Sequence, residues 1–218
     1  MSTTNNSWTD EIMDNPPVYD PLSDIQSNTR HPLLVKLLGL QNHFGDKFNQ
    51  IKDDFVDIFP FVEAFRVVGA KEYFPDLIKT PFDIWVLAIK EKDVQNWIPA
   101  VELSTGMLRT LKILLELFLA PKGSVFLVDE FENSLGVNCL PQVAEAARAR
   151  QNDIQFIITS HHPYVINNIP WTSWKVVTRH GGTVTVRDVE HIPELQTDSS
   201  MDHFLLLLNS ETYEDGIR

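Results

Sequence analysis

Apolar residues recur along the chain with two different periods, which predict different elements. A spacing of three and four residues, which places side chains on one face of a helix, marks two segments. These segments are Phe44, Phe48, Ile51, Phe55, Ile58 and Met107, Leu108, Leu111, Leu114, Leu115, Phe118. Shorter apolar runs without this spacing predict strands. These runs are 61–68, 82–90, 97–103, 124–128 and 154–159.

The order of the elements predicts an α/β fold. Ser104 is placed to cap the second helix, and a strand, a helix over 141–150 and another strand follow. Such an alternation is typical of a mostly parallel sheet with flanking crossover helices. The run at 124–128 has no polar residue after Ser124, which fits a strand buried on both faces.

Three further elements flank this α/β region. Pro32 is placed to open a helix that carries a cluster of leucines ahead of the helix at 44–58. Two runs joined at Gly181-Gly182 predict a C-terminal β-hairpin. Residues 201–209 predict a short terminal helix. Both helices between 32 and 58 are compatible with a helical arm or lid, and equally with ordinary core-facing helices.

Composition narrows the class of protein. The chain has 218 residues, a formal net charge of −12 and scattered Lys and Arg, which argues against nucleic-acid binding by this chain alone. Its single cysteine, Cys139, excludes an intrachain disulfide framework and fits a reducing compartment. No apolar run reaches membrane-spanning length and the N-terminus lacks a secretion signal, so a cytoplasmic protein is expected.

Two acids follow the most apolar strand directly. Val128 is succeeded by Asp129 and Glu130. Carboxylates at the carboxyl end of a strand lie where open α/β sheets bind ligands. In a nucleotide-hydrolysing site the first acid holds Mg²⁺ and the second orients or deprotonates the attacking water. The alternative is a strand that ends in solvated acids.

Two other motifs accompany the acidic pair. Ser104-Thr105-Gly106 begins a helix whose free N–H groups form an anion site, although an ordinary capped helix has the same residues. The strand at 154–159 ends in Ser160 and His161, at the same predicted edge of the sheet. A histidine there is able to contact a γ-phosphate, while the alternative is a histidine pair without a ligand.

In this order, the three motifs resemble the second half of an ABC-type ATPase head, more narrowly the RecF/SMC-related and OLD-like AAA-labelled ATPases of bacterial defence and repair. Ser104-Thr105-Gly106 matches the signature, Asp129-Glu130 matches Walker B, and Glu132-Asn133 matches the family's extension. His161 matches the switch histidine. The resemblance covers roughly residues 80 to 190.

The resemblance implies roles for these residues. Asp129 would hold Mg²⁺ through water, Glu130 would act as general base, and His161 would sense the γ-phosphate. Ser104, Thr105 and Gly106 would contact the γ-phosphate of an ATP bound mainly to another subunit, because such heads close as ATP-sandwiched dimers. Arg109 would help at that interface, or is a solvated helix charge.

Composition and the resemblance together divide the chain into four regions. Residues 1–29 are predicted as a disordered polar N-terminus, and 30–80 as the helical arm or lid. Residues 81–190 would form the ATPase C-terminal subdomain. Residues 191–218 would form a short helix and tail, with no acidic cluster of the TOPRIM nuclease type, so any nuclease or other effector is expected in a partner.

The family's Walker A loop, GxxxxGK[ST], is not present in the sequence. Its backbone N–H groups and lysine supply most of the phosphate affinity of such sites. The chain is therefore expected to be a split ATPase half completed by a Walker A-bearing partner, a degenerate copy that regulates full-length relatives, or a gene fragment. A non-catalytic interaction subunit is the competing hypothesis.

Overall fold

The structure is a computed structural model and describes residues 22–27, 32–72, 84–196, 203–211 and 213. The chain divides into two compact units. Unit 1 comprises residues 1–126 and 134–156, and unit 2 comprises residues 127–133 and 157–218. None of the described helices is long and apolar enough to cross a membrane.

Unit 1 contains most of the helices and an antiparallel sheet. Its described elements are α1 (Leu22–Ser27), α2 (Leu33–His43), α3 (Gly45–Ile58), β1 (Val62–Gly69), β2 (Trp85–Glu91), β3 (Ile98–Pro99), α4 (Thr105–Leu119) and α5 (Leu140–Ala149). The predicted helices at 44–58, from Ser104 and at 141–150 are confirmed within a residue or two. Most of the predicted N-terminal region 1–29 lies outside the described residues, apart from α1, in which Ile25 is buried.

The core of unit 1 surrounds α2, whose residues 33–40 are all buried. At its buried side, Lys36 donates to both carboxylate oxygens of Glu116 on α4, at 2.7 and 2.8 Å. Further along α2, the Gln41 amide donates to the Val67 carbonyl and accepts from the Val67 N–H, both at 2.8 Å. These contacts fix α2 in the core of unit 1.

The apolar stripe of α3 packs against β1. Phe48 and Phe55 lie with ring centroids 5.1 and 5.6 Å from that of Phe65, in edge-to-face arrangements. Such aromatic pairs add about 0.5–1.5 kcal/mol each beyond the area they bury. The period of three and four in the sequence therefore identified the buried face of this helix correctly.

Strands β1, β2 and β3 form an antiparallel sheet in that order. The prediction of an α/β fold holds, but among the described strands only one pair, β4 and β5, is parallel. Six residues join β2 to β3, enough for a turn and too few for the crossover that parallel pairing needs. The predicted strand at 97–103 is also shorter than expected, because a 3₁₀ turn at Ala100–Glu102 follows Pro99.

The parallel pair consists of β4 (Val125–Val128) and β5 (Gln155–Ile158). Within unit 1, the Gln155 N–H donates to the Ser124 carbonyl at 2.9 Å; within unit 2, the Thr159 N–H donates to the Val128 carbonyl at 3.0 Å. The expectation of burial on both faces is wrong, since Val125 and Leu127 are 53% and 73% exposed. Among the described residues each strand has only this one neighbour, so the apolar run does not lie inside a sheet.

Unit 2 contains α6 (Pro163–Asn167), the hairpin of β6 (Lys175–His180) and β7 (Thr183–Asp188), and α7 (His203–Leu208). The predicted hairpin and terminal helix are confirmed, and Gly181 takes the left-handed conformation that the turn requires, with φ of 57°. A small core of Val189, Ile192 and Leu195 packs against Trp171, Trp174, Val176 and, from α7, Leu206 and Leu207.

Candidate functional site

The two acids after β4 are tied to the residue that follows β5. The Thr159 hydroxyl accepts a hydrogen bond from the Glu130 N–H at 2.8 Å and donates one to Asp129 Oδ1 at 2.5 Å. The Phe131 N–H donates to the Thr159 carbonyl at 3.0 Å. One threonine thus fixes the loop that carries both carboxylates against the end of the neighbouring strand.

Glu130 has an unusual backbone conformation. Its φ is 46°, in the left-handed region that non-glycine residues rarely adopt. Its carboxylate accepts a hydrogen bond from the Asn133 side-chain amide at 3.1 Å. Strained residues that the surrounding contacts hold in place cluster at functional sites. The hydrogen bonds to Thr159 and from Asn133 hold Glu130 in this conformation.

Glu132 links the same loop to the residues around His161. One of its carboxylate oxygens accepts from the Ser160 hydroxyl at 2.7 Å, and the other accepts from the His161 N–H at 2.9 Å. Burial alone would raise the pKa of Glu132, but the hydrogen bonds from Ser160 and His161 outweigh it and lower the pKa below its ordinary value. The carboxylate form is thus the one that the fold stabilises.

The lowered pKa of Glu132 predicts a pH-dependent contribution to stability. Because the folded chain holds this proton less tightly than the unfolded chain, the contribution is complete above the unfolded-state pKa, about 4.3. It is lost as the pH falls through the lower folded-state pKa. We expect urea unfolding to show that Glu132→Gln lowers stability at pH 7 and that this difference shrinks toward pH 3. A difference that is constant from pH 7 to pH 3 would contradict the prediction.

The Ser104-Thr105-Gly106 motif lies in unit 1 at the start of α4. The Ser104 hydroxyl accepts from the Met107 N–H at 3.2 Å and caps the helix as predicted. A cavity of about 320 Å³ opens at this helix end. Its lining includes Phe61, Ser104, Gly106, Ser134, Gly136 and Cys139.

Gly106 has no room for a side chain. A Cβ atom at this position would lie 2.9 Å from the Ser134 carbonyl oxygen, closer than such contacts occur. We expect Gly106→Ala to cost about 1–3 kcal/mol of unfolding free energy, the usual cost of overpacking, in a urea titration. Gly45→Ala is the matched control, because the described residues leave at least 4 Å around that Cβ. Equal stabilities of the two variants would show that the 134–136 turn moves away freely.

The predicted site residues fall into two groups, one in each unit. In unit 2, Asp129 and Glu130 share the Thr159 hydroxyl, and His161 follows two residues after that threonine. In unit 1, Ser104, Thr105, Gly106 and Arg109 lie in the first turns of α4 or at its cap. Thr159 and Ser160 had no predicted role, and Glu132 had none beyond a motif match, although a threonine and a serine at a strand end are a usable signal.

Asp129 fits the kind of magnesium site in which the protein supplies few ligands and the nucleotide supplies the others. The described residues contain no group of three His, Cys, Asp or Glu side chains that could hold a metal ion by themselves. Mg²⁺ usually keeps several waters and binds through one or two carboxylates together with substrate phosphates. An exposed carboxylate at the end of β4 suits this mode of binding, in which the nucleotide supplies the remaining ligands.

The acids after β4 and the histidine after its parallel neighbour β5 lie at the carboxyl ends of these strands, where open α/β sheets bind ligands. The family model described as "AAA domain, putative AbiEii toxin, Type IV TA system" matches residues 4–167, about three quarters of the chain and all of the site residues. The chain belongs to this family of AAA domains. No curated protein matches the sequence.

Two solved structures of SMC proteins are similar to the chain at low identity. One, from work on ATP-driven dimerization and DNA-stimulated activation of SMC ATPases, is 17% identical with a TM-score of 0.46. That match covers 67% of this chain and 88% of the other. The second is an SmcHead bound to the C-winged helix domain of ScpA, 16% identical with a TM-score of 0.47. The match to the SmcHead covers 79% of this chain. It covers 55% of the SmcHead chain, so this chain spans about half of that protein's length.

Proposed function

We propose that the chain contributes signature, Walker B and switch-histidine elements to a composite ATP site, which a Walker A-bearing partner or relative completes. The site hydrolyses ATP to ADP and phosphate. The observation that carries the proposal is the junction in unit 2, where Thr159 joins Asp129 and Glu130 to the strand end that leads into His161. A solvated strand end has no need of such a junction.

Asp129 and Glu130 divide the chemistry between them. Asp129 would hold Mg²⁺, and the ion would supply positive charge to neutralise the phosphates of the bound nucleotide. Glu130 orients the attacking water and accepts its proton. The hydrogen bond from the Asn133 amide to Glu130 Oε2 at 3.1 Å supports an oriented side chain.

The remaining site residues address the γ-phosphate. His161 senses it from the same subunit, with a side chain that is 81% exposed. Ser104, Thr105 and Gly106 contact the γ-phosphate of a nucleotide held mainly by another subunit, through the free N–H groups of α4. Arg109, one turn into α4, assists at that interface. This arrangement requires two subunits that close as ATP-sandwiched heads, as the resemblance to ABC-type ATPases implies.

The exposed apolar face of β4 and β5 is evidence for a partner subunit. In unit 2, Leu127 and Ile157 are 73% and 52% exposed. Parallel strands are almost always covered on both faces, and an uncovered edge invites association. Because the sequence has no Walker A loop, we propose that a partner with this loop supplies the missing strand and helix.

The cellular setting belongs to the same proposal. The family description names a putative AbiEii toxin and a type IV toxin–antitoxin system, which favours a role in a bacterial defence or repair system. A nuclease or other effector would reside in a partner, and the chain would act in the cytoplasm. Direct binding of nucleic acid by this chain is disfavoured by its net charge of −12.

A second candidate is a non-catalytic, truncated ATPase-like subunit that regulates relatives. The missing Walker A loop favours this alternative.

To separate the composite ATP site from the regulatory alternative, the chain is co-expressed with the product of a neighbouring reading frame that encodes GxxxxGK[ST], and phosphate release from Mg-ATP is measured. Release by the pair and by neither chain alone supports the composite site. A stable pair without phosphate release would establish the regulatory alternative.

A further inference from the structure

The β-hairpin of unit 2 has one face that is packed and one that is exposed. Successive side chains of a strand point to opposite faces, so the register of β6 and β7 assigns each residue to a face. On one face, Val176 packs against the small core of unit 2. The opposite face carries Val177, Val184 and Val186, which are 61%, 59% and 63% exposed.

The three valines form one patch. Val177 lies directly across from Val186, and Val184 is two residues away from Val186 on the same face of β7. Directly opposed side chains of an antiparallel pair are neighbours, with Cβ atoms about 4.5–5.5 Å apart. Single exposed apolar residues need no explanation, whereas contiguous apolar patches are where proteins interact.

Charged side chains flank this patch at both ends. At the end away from the turn, Lys175 Nζ forms an ion pair with Asp188 Oδ1 across the two strands, and both side chains are exposed. At the turn end, Arg179 lies across from Val184, and its Nε donates to the Gly181 carbonyl at 3.0 Å. The hairpin face therefore consists of Lys175, Val177 and Arg179 from β6 and Val184, Val186 and Asp188 from β7.

We infer that the hairpin face is a contact surface between two copies of this chain, which pack face to face as a four-stranded β-sandwich. A two-fold axis brings the same patch of both subunits together, and two facing sheets lie about 10 Å apart with interdigitating side chains. With the axis parallel to the strands, each residue of β6 lies over the second copy of its own cross-strand partner. Val177 then contacts Val186 of the second copy.

The charges favour this arrangement over the other two-fold packing. Lys175 and Asp188 of one copy face Asp188 and Lys175 of the other, which gives four alternating charges at one end. Arg179 lies over Val184, where its aliphatic stem covers the valine. With the axis across the strands, Arg179 would instead lie over Lys175 of the second copy, and Asp188 over Val184. Opposed like charges and a carboxylate desolvated by a valine both disfavour that packing.

The contact surface is small, so the dimer is expected to be weak. Each copy contributes six residues, compared with about 20–30 a side in a stable complex. This self-association goes beyond the proposed ATP site and does not rest on it, because it needs neither nucleotide nor the acids after β4.

Sedimentation velocity of the full chain without nucleotide measures this association, over concentrations from about 10 to 500 μM. We expect the wild type to shift from monomer toward dimer across this range. Val186→Thr keeps the branched shape of the side chain and is expected to weaken the dimer about tenfold, because one methyl group is lost twice per dimer. Val137→Thr, the same change at an 83% exposed valine outside the hairpin face, is expected to leave the dimer unchanged.

Two charge-reversed variants test the arrangement of the copies. Lys175→Asp places two acids at the open end of the hairpin face, and Asp188→Lys places two lysines there, so each variant repels its own copies and is expected to remain monomeric. When the two variants are mixed, we expect a heterodimer, because the acids of one then face the lysines of the other. The ion pair within the hairpin is broken in both variants, so recovery on mixing reports contacts between copies. Circular dichroism checks that each variant is folded.

A wild type that stays monomeric across the whole range would overturn the inference. A dimer that Val186→Thr leaves unchanged would also overturn it, since another surface would then hold the copies together. Folded charge-reversed variants that do not combine on mixing would rule out the face-to-face arrangement. If the chain alone is monomeric and Val186→Thr instead weakens its complex with the Walker A-bearing partner, the hairpin face belongs to that partner and not to a second copy.

Discussion

Replacing Glu130 with glutamine is expected to reduce the rate of ATP hydrolysis by the assembled pair about 100- to 10,000-fold, the range that a positioned general base contributes. The amide has the shape of the carboxylate and still accepts from the Asn133 side chain. It cannot take a proton from the attacking water. The measurement is phosphate release under saturating Mg-ATP, together with the nucleotide bound after gel filtration.

The variant is expected to bind ATP as well as the wild type does, because its loss concerns the chemical step. Glu145→Gln, the same change on an exposed residue of α5, is expected to hydrolyse ATP normally. A Glu130→Gln pair with undiminished turnover would defeat the proposed mechanism. Equal loss of binding and turnover would instead indicate a structural fault in the loop.

Replacing Glu116 with leucine is expected to lower the unfolding free energy by about 3 kcal/mol, at the lower end of the range for breaking a buried ion pair. Lys36 is 2% exposed and its ammonium group would be left in the core without a counter-charge. Glu116 itself is 27% exposed, so water reaches part of the pair and the loss does not reach the upper end of the range. Urea unfolding followed by circular dichroism measures the change.

The double variant Lys36→Met and Glu116→Leu provides the control. It removes both charges and fills their volume with apolar atoms, so we expect it to recover most of the stability that the single change loses. If the single and double variants were equally unstable, the loss would come from packing rather than from the unpaired ammonium group. If neither lost stability, the pair would be dispensable.

The parts of the fold that were predicted correctly depend on local chemistry. Ser104 caps α4 because its hydroxyl reaches an N–H only three residues on. The hairpin of β6 and β7 follows from the glycine turn between them. The sequence also predicted that the acids follow β4 and that the histidine follows β5. This was correct because each strand is four residues long and ends where its apolar residues end.

What the sequence did not predict depends on residues far apart in the chain. Lys36 and Glu116 are 80 positions apart, and nothing around either residue indicates the other. The exposure of Leu127 was missed because an apolar run has the same letters whether or not a neighbour covers it. The role of Glu132 was missed for a related reason: its partners, Ser160 and His161, become neighbours only after the two strands pair.

The bridging hydroxyl of Thr159 limits which residues can replace it during evolution. The hydroxyl must accept a hydrogen bond from the Glu130 N–H while it donates one to Asp129 Oδ1, and aliphatic side chains can do neither. Among the twenty side chains only serine is comparably short and able to do both. Related sequences that keep the acidic pair should therefore vary between these two residues here, and those that have lost the acids should drift freely.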